Sequence, residues 1–327
     1  MKLQQLRYIW EVAQHGLNVS LTAESLFTAQ PGISKQIRLL EDELGIEIFA
    51  RSGKHLARVT PAGEVILAKA AEILREVESI KHIAEEYSNQ TSGQLSIATT
   101  HTQVRYVLPT ILSELRARYP GVSLHMRQGT TEEIGELATA GEVDFAITPE
   151  RVDRYPELVM MPCYHWNRCV VVPKGHALAR RRRATREDLE AHPIVTYDSG
   201  FRERLPLVGE MVERPDEEHH LNIAMSAVDT DVIKTYVRQG FGVGVIAGMA
   251  YDPASDADLV AIDASDVFNP STTYIGCRKG TFLRRFMLDF IELFAPHLTE
   301  PIVRDAFSAH TAAERRALFE DIELPHR

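Results

Sequence analysis

The sequence predicts an α/β protein with an all-α amino-terminal part: a winged helix-turn-helix domain, a long linker helix, and two α/β subdomains around a cleft. Three observations carry that expectation. Residues 22–44 read as two short helices meeting at a sharp turn. Residues 61–87 run without a breaker after Gly63 and carry an apolar stripe. From Leu95 onward, short apolar runs alternate with helical periods, the pattern of a sheet covered by helices.

The first helix is marked by Leu3, Leu6, Ile9, Trp10 and Ala13 on one face. A supporting helix follows, with Ala23, Leu26 and Phe27 apolar. In the next helix Ile33, Ile37, Leu40 and Leu44 recur at helical spacing, and Pro31 suits a first turn, where its missing N–H costs nothing. Gln30, Ser34, Lys35 and Arg38 occupy the opposite face, where packing has no use for them. Such a face is either merely solvated or laid into a DNA major groove. In a groove, Gln30 suits adenine and Arg38 or Lys35 guanine, while Thr28 and Ser34 suit phosphates. Gly45 reads as the helix cap, and Ile46, Ile48 and Phe49 alternate as a short strand. Arg51, Lys54 and Arg58 then surround a turn at Ser52–Gly53; after a helix-turn-helix this reads as a β-wing with a basic tip rather than an ordinary solvated loop. The candidate DNA contacts are therefore Thr28, Gln30, Ser34, Lys35, Arg38, Arg51 and Lys54.

Pro61 opens the linker helix. Val65, Ile66, Ala70, Ile73, Leu74, Val77, Ile80 and Ile83 give it a stripe that needs either its own domain or a partner helix. A partner helix makes a homodimer, whose two-fold axis asks for a roughly palindromic site in promoter DNA. The polar run 88–94 reads as a hinge. The expected boundaries are 1–60 for DNA binding, 61–92 for linker helix and hinge, and 93–327 for the α/β part.

Within that part LSIAT, VSLHM and DFAIT read as strands, with helices at 103–119 and 132–140; CVVVP, PIVTY and LNIAM repeat the pattern with a helix at 231–239. The expectation is a parallel sheet in each of two subdomains, the first about 93–162 plus 268–300 and the second about 163–267, with a charged helical tail at 301–327. The chain crosses between them near residues 162–164 and 263–268. Thr100, Thr102 and Gln103 follow the first strand at a helix start, where free N–H groups and a positive dipole end favour an anion. Hydroxyls and an amide add donors without charge, which suits a small oxyanion or carboxylate; helix capping is the alternative use. Thr230 opens another helix, and Trp166 near the crossing is either a donor to the same ligand or a core aromatic.

Other features exclude classes. Gly240, Gly242 and Gly244 follow a helix and precede a strand, the reverse of a dinucleotide fingerprint. Cys163, Cys169 and Cys277 lack metal-ligand spacing, so no metal is expected, and three unspaced cysteines suit reduced thiols. No apolar run reaches the roughly 18 residues of a membrane span, and Met1 leads straight into an amphipathic helix, so a cytoplasmic location is expected. A net charge of −10 argues against indiscriminate coating of nucleic acid; in residues 1–60 basic groups barely outnumber acidic ones.

The run LTAESLFTAQPGISKQIRLLEDELGIEIFAR through VTPAGE resembles the DNA-binding end of the LysR-type transcriptional regulators. Three stretches, IATTHTQVRYVLP, MPCYHWNRCVVV and DTDVIKTYVRQGFGVGVIAGMA, resemble the branch that governs sulfur assimilation and cysteine biosynthesis. The resemblance covers nearly the whole chain and implies two α/β subdomains of periplasmic-binding-protein type, a homotetramer, and RNA polymerase as a partner. It implies no cofactor beyond a small effector, N-acetylserine or O-acetylserine with sulfate or thiosulfate, held by Thr100, Thr102 and Gln103. Where the family pattern has threonines, this chain has Pro149 and Arg202. Thr148 stands in for the first; Arg202 either pairs with the anion or points to solvent. The expected function is thus an effector-controlled regulator rather than an enzyme, with a solute-binding protein second; a regulator of a related sulfur-source regulon with a different effector is the alternative within the family. No nucleophile, base and orienter set emerges at positions the fold brings together.

Overall fold

The computed structural model describes residues 1–53, 55–87, 92–149, 155–198 and 221–327, and the chain forms two compact units, 1–89 and 90–327. The first unit begins with α1 (Leu3–Gln14), α2 (Val19–Ser25) and α3 (Gln30–Leu44), followed by the hairpin β1 (Phe49–Ser52) and β2 (His55–Val59) and by α4 (Pro61–Tyr87). Its core is Leu6, Ile9, Val12, Ala23, Ile33, Ile37, Leu40, Ile48, Phe49, Leu67 and Ala70. Asn18 caps α2 by accepting from the Leu21 amide, and Gly45, in the left-handed region, ends α3 by donating to the Glu41 carbonyl. Gly63 is demanded by close approach: a Cβ there would meet the Ile48 carbonyl oxygen at 2.2 Å.

Three apolar expectations fail in this unit. Leu3, Phe27 and Leu44 are exposed, and the core side of α3 is completed by Glu41 instead of Leu44. The Glu41 carboxylate is buried because it accepts from the Ile48 and Phe49 amides at 2.9 and 3.1 Å and pairs with Arg51. Early in α4, Leu67, Ala70 and Ala71 are buried, whereas Val65, Ile73 and Ile80 stay exposed.

The second unit contains two sheets, each of five strands among the described residues. The first holds β3 (Ser92–Thr99), β4 (Gly121–Gln128), β5 (Phe145–Thr148), β6 (Leu158–Trp166) and β12 (Ser271–Arg278), in the order β4-β3-β5-β12-β6. The second holds β7 (Arg168–Pro173), β8 (Ile194–Tyr197), β9 (Ile223–Ala227), β10 (Val243–Ala247) and β11 (Leu259–Asp263), in the order β11-β7-β10-β8-β9. Helices α5 (Leu108–Arg118), α6 (Thr131–Ala140), α7 (Arg186–Glu190), α8 (Thr230–Arg238) and α9 (Arg285–Phe294) pack around them, followed by α10 (Glu300–Ser308) and α11 (Ala312–Ala317).

Neither sheet is wholly parallel, contrary to expectation. β12 runs against both its neighbours, and so does β7. Each is the first strand its sheet receives from the other subdomain. A chain arriving from the cleft must run away from it, whereas β3, β5 and β8 run toward it. The first crossing is also later than expected: β6 continues to Trp166 and the chain passes over at Asn167. Pro162 does not end β6 because the register slips beside it, with Tyr164 opposite Thr273 and Pro162 opposite Tyr274, leaving Cys163 as the bulge. On the return, Phe268 still belongs to the second core. Finally, the helix expected over 103–119 is interrupted. Gln103–Val107 is a π turn, closed by the Leu108 amide on the Gln103 carbonyl, before α5 begins. Pro109, with no N–H to offer the Arg105 carbonyl, prevents a regular α ladder there.

Candidate functional site

In the first unit, Thr28 just before α3 and Gln30, Lys35 and Arg38 along its first three turns are exposed to solvent, with Ser34 half-buried among them. The Gln30 side-chain amide donates to Ser34 Oγ at 3.2 Å, which orients it along the helix. α3 has no acidic residue in its first turn, so its positive dipole end is not neutralised locally. Arg51 departs from the free basic tip: its guanidinium is taken by the buried Glu41, so it fastens the wing to α3. Lys54 lies outside the described residues.

In the second unit, the sheets bring the carboxyl ends of β3, β5 and β8 toward one another. Thr99, buried, donates to the Ile147 carbonyl at 3.0 Å and locks β3 to β5 just before Thr100. Thr102 then meets Thr230 across the cleft, oxygen to oxygen at 3.3 Å. Thr230 is buried at the start of α8 and also bonds Tyr197 Oη at 2.7 Å; that tyrosine accepts from the Ala247 amide. Gln103 is buried too: its Oε1 accepts from Tyr164 Oη at 2.6 Å and its Nε2 donates to Thr273 Oγ1 at 3.4 Å. Burial pushes the Tyr164 hydroxyl up to about 12 and raises Tyr197 as well, so both stay neutral. Thr148 is buried at the end of β5. Arg202 lies outside the described residues.

Trp166 ends β6 and is 6% exposed, yet its indole N–H has no hydrogen-bond partner among the described residues. A buried donor of this kind costs about 1–3 kcal/mol unless something accepts from it. The Arg168 guanidinium lies over the Trp166 ring at 5.1 Å and over Phe268 at 5.9 Å, adding positive field where the first crossing ends. The two helix starts differ in charge. α8 opens with Asp229 as its cap and Asp231 in its first turn, so its dipole is already answered. The turn after β3 has no acid. The dipole end at residues 100–103 is thus left without an acid of its own segment, although Asp231 of α8 reaches across to Arg105 and Tyr106 on the same turn.

The structure thus gathers Thr100, Thr102, Gln103, Trp166 and Thr230 around the crossings. Sequence reasoning missed Tyr164, Tyr197, Arg168, and the cluster Arg105, Tyr106, Asp231 and Lys234. The CYHWNR stretch held a usable signal, since polar groups interrupt an otherwise apolar strand; the others carry no periodic mark. Among the described residues no group of three or more metal-ligating side chains occurs, and no helix is long and apolar enough to cross a membrane.

A winged helix-turn-helix joined to a two-sheet domain with a polar cleft defines a DNA-binding regulator that carries a ligand-binding domain. The chain belongs to the LysR family of bacterial transcriptional regulators: residues 3–64 match the pattern described as the bacterial regulatory helix-turn-helix protein, lysR family, and residues 88–299 the LysR substrate binding domain. It is 48% identical to the HTH-type transcriptional regulator CysB of Haemophilus influenzae over 325 residues, 99% of both chains. It is 43% identical to the regulator SsuR of Burkholderia cenocepacia over 303 residues, covering 92% of this chain and 96% of that one. The crystal structure of the cofactor-binding domain of the Cbl transcriptional regulator superimposes with a TM-score of 0.57 at 34% identity, covering 68% of this chain and 96% of that domain.

Proposed function

We propose that this regulator controls genes of sulfur assimilation and cysteine biosynthesis, and that an N-acetylserine-like effector bound between its two α/β subdomains sets its action, with sulfate or thiosulfate as the opposing anion. The observation that carries the effector class is the unpartnered, buried Trp166 indole N–H at the end of β6, the strand whose Tyr164 bonds Gln103 of a threonine-rich helix start with no acid of its own. That set offers several neutral donors with one guanidinium, Arg168, over the Trp166 ring, which fits a carboxylate or a small oxyanion. The likeness to CysB supports the regulon. Thr28, Gln30, Ser34, Lys35 and Arg38 would read the DNA from α3, and exposed Val65, Ile73 and Ile80 would pair α4 with its copy in a dimer on a roughly palindromic promoter. Dimers would assemble into tetramers and engage RNA polymerase in the cytoplasm, as the family resemblance implies, with no catalytic step.

A second reading keeps the regulator but changes its signal. Pro149 and Arg202 replace threonines of the family pattern, and SsuR and Cbl are also similar to this chain. A related sulfur-source regulon with a different effector follows from that. Footprinting on a sulfur-assimilation promoter, with and without N-acetylserine, separates the two. Protection that changes in length or position with N-acetylserine supports the first reading. Protection indifferent to it supports the second, and no protection refutes both.

A further inference from the structure

One polar cluster is left unused by the anion site, and it lies on the same turn. Tyr106 reaches from the first subdomain to α8 of the second, where its hydroxyl donates to Asp231 Oδ1 at 2.8 Å and accepts from Lys234 Nζ at 3.2 Å. The Lys234 ammonium also stands 5.0 Å from the Tyr106 ring centre. Beside it, Arg105 pairs with Asp231 at 2.7 Å, and its Nε also donates to the Tyr106 hydroxyl at 3.3 Å. Lys234 is only 2% exposed and is no swinging surface group. Its ammonium is gripped by Asp256, and that carboxylate also takes Arg238 Nη2 and the Asp252 amide, both at 3.1 Å. Burial works to lower the Lys234 pKa, but the bonds to Asp256 and Tyr106 outweigh it and hold the group charged. The second subdomain therefore presents a fixed ammonium, beside which the Asp231 carboxylate is held by Tyr106 and Arg105, and one hydroxyl from the first subdomain serves both.

Tyr106 also shares the π turn Gln103–Val107 with Gln103 of the anion site. Widened turns of this kind recur at functional sites.

We propose that Tyr106 is a positioning residue for the effector: its hydroxyl, clamped between Asp231 and Lys234, holds the subdomains at the separation where Thr100, Thr102 and Gln103 on one wall and Thr230 on the other reach the same anion. The clamp rests on the effector reading above. It touches no ligand itself. Its contribution is to the fraction of molecules whose two walls are correctly spaced, and apparent affinity scales with that fraction.

The test is calorimetric titration of the full chain with N-acetylserine, and with sulfate in parallel. Tyr106→Phe keeps the ring over Lys234 and removes only the hydroxyl. Binding is expected to weaken roughly tenfold, the scale of one charge-assisted hydrogen bond. In an Asp231→Ala background the same change is expected to cost less than about threefold, because its main partner is already gone. Hydrogen exchange gives a readout that a merely structural loss leaves alone. Ligand should slow amides in both 100–107 and 230–234 of the unsubstituted chain, but only in 100–107 of Tyr106→Phe. Equal affinity of Tyr106→Phe and the unsubstituted chain overturns the clamp and leaves the effector reading standing; so does the same loss in both backgrounds. Failure of the unsubstituted chain to bind either anion overturns the effector reading, and the clamp with it.

Discussion

Glu41 is the side chain from which the wing hangs, so its removal tests the packing of the DNA-binding unit directly. It is 5% exposed and answers three donors: the Ile48 amide, the Phe49 amide and the Arg51 guanidinium. Glu41→Ala would strand two buried N–H groups at about 1–3 kcal/mol each. Loss of the partly exposed Arg51 pair adds at most about 1 kcal/mol. Neighbouring terms do not add fully, so the expected loss is roughly 3–5 kcal/mol. Glu41→Gln keeps an oxygen for both amides but turns an NH2 toward Arg51 and loses that pair; the partly exposed guanidinium can turn to water, so the loss should stay near about 1 kcal/mol. The chain has two tryptophans, Trp10 in the first unit and Trp166 in the second. Urea unfolding in a Trp166→Phe background therefore follows the DNA-binding unit through Trp10 alone. A Glu41→Ala midpoint matching the unsubstituted protein, or no worse than Glu41→Gln, would refute the buried-carboxylate account.

Arg38→Ala should weaken specific operator binding by about 1–3 kcal/mol in a gel-shift titration while leaving N-acetylserine binding intact; a folded variant that lost effector binding would contradict separate DNA and effector modules. Thr102→Ala should do the converse, sparing the operator and blunting the effector response, and an unchanged response removes Thr102 from the site. Burial pushes the Cys169 and Cys277 thiols up to about 12 and raises Cys163 as well, so iodoacetamide at pH 8 should label the folded chain only after denaturant is added. Burial acts to raise the Asp256 carboxyl, but Lys234, the Asp252 amide and Arg238 together hold it below its ordinary value. A depressed carboxyl contributes stability above its unfolded pKa of about 4 and loses it as pH falls through the folded value. Asp256→Asn should therefore be less stable at pH 7 and show a shallower acid-induced loss, as measured by thermal melts from pH 7 down to 3.

What could be read from the sequence was whatever a short-range pattern encodes. The helix-turn-helix declared itself through the period of Ile33, Ile37 and Leu40 and the cap at Gly45; the cleft threonines did so by following an apolar strand at a helix start. Even Glu41 was within reach, because it stands four residues after Ile37 on the buried side of α3, and only its charge argued against burial. Other features depend on partners distant in sequence. An apolar run such as CVVVP does not state its direction, so the reversal of β7 and β12 was invisible. Pro162 hid β6, since nothing local announces that Thr273 and Tyr274 will offer a slipped register. The π turn was signalled by Pro109, but a proline at the first turn of α5 is equally at home in a regular helix.

Those reversed strands have a mechanical consequence. Because the chain passes between the subdomains at Asn167 and again between Asp263 and Ser271, two connections flank the cleft, and a relative movement of the subdomains must turn about both. The spacing between the walls rests on the apolar core that the subdomains share and on polar bonds that cross, among them Thr102 to Thr230, Arg105 to Asp231, Tyr106 to Asp231 and Lys234, and Arg168 to Ser271. An anion lodged among neutral donors gains from every donor it reaches on both walls, and from only half of them when the walls part. On the proposed effector reading, a differential affinity for the closed spacing would follow, and differential affinity alone lets a ligand shift a conformational equilibrium. Hydroxyl donors suit that purpose better than a cation in direct contact would, because a cation touching the anion from one wall would bind it strongly in either spacing; Arg168, stacked on the Trp166 ring, adds field to both spacings alike.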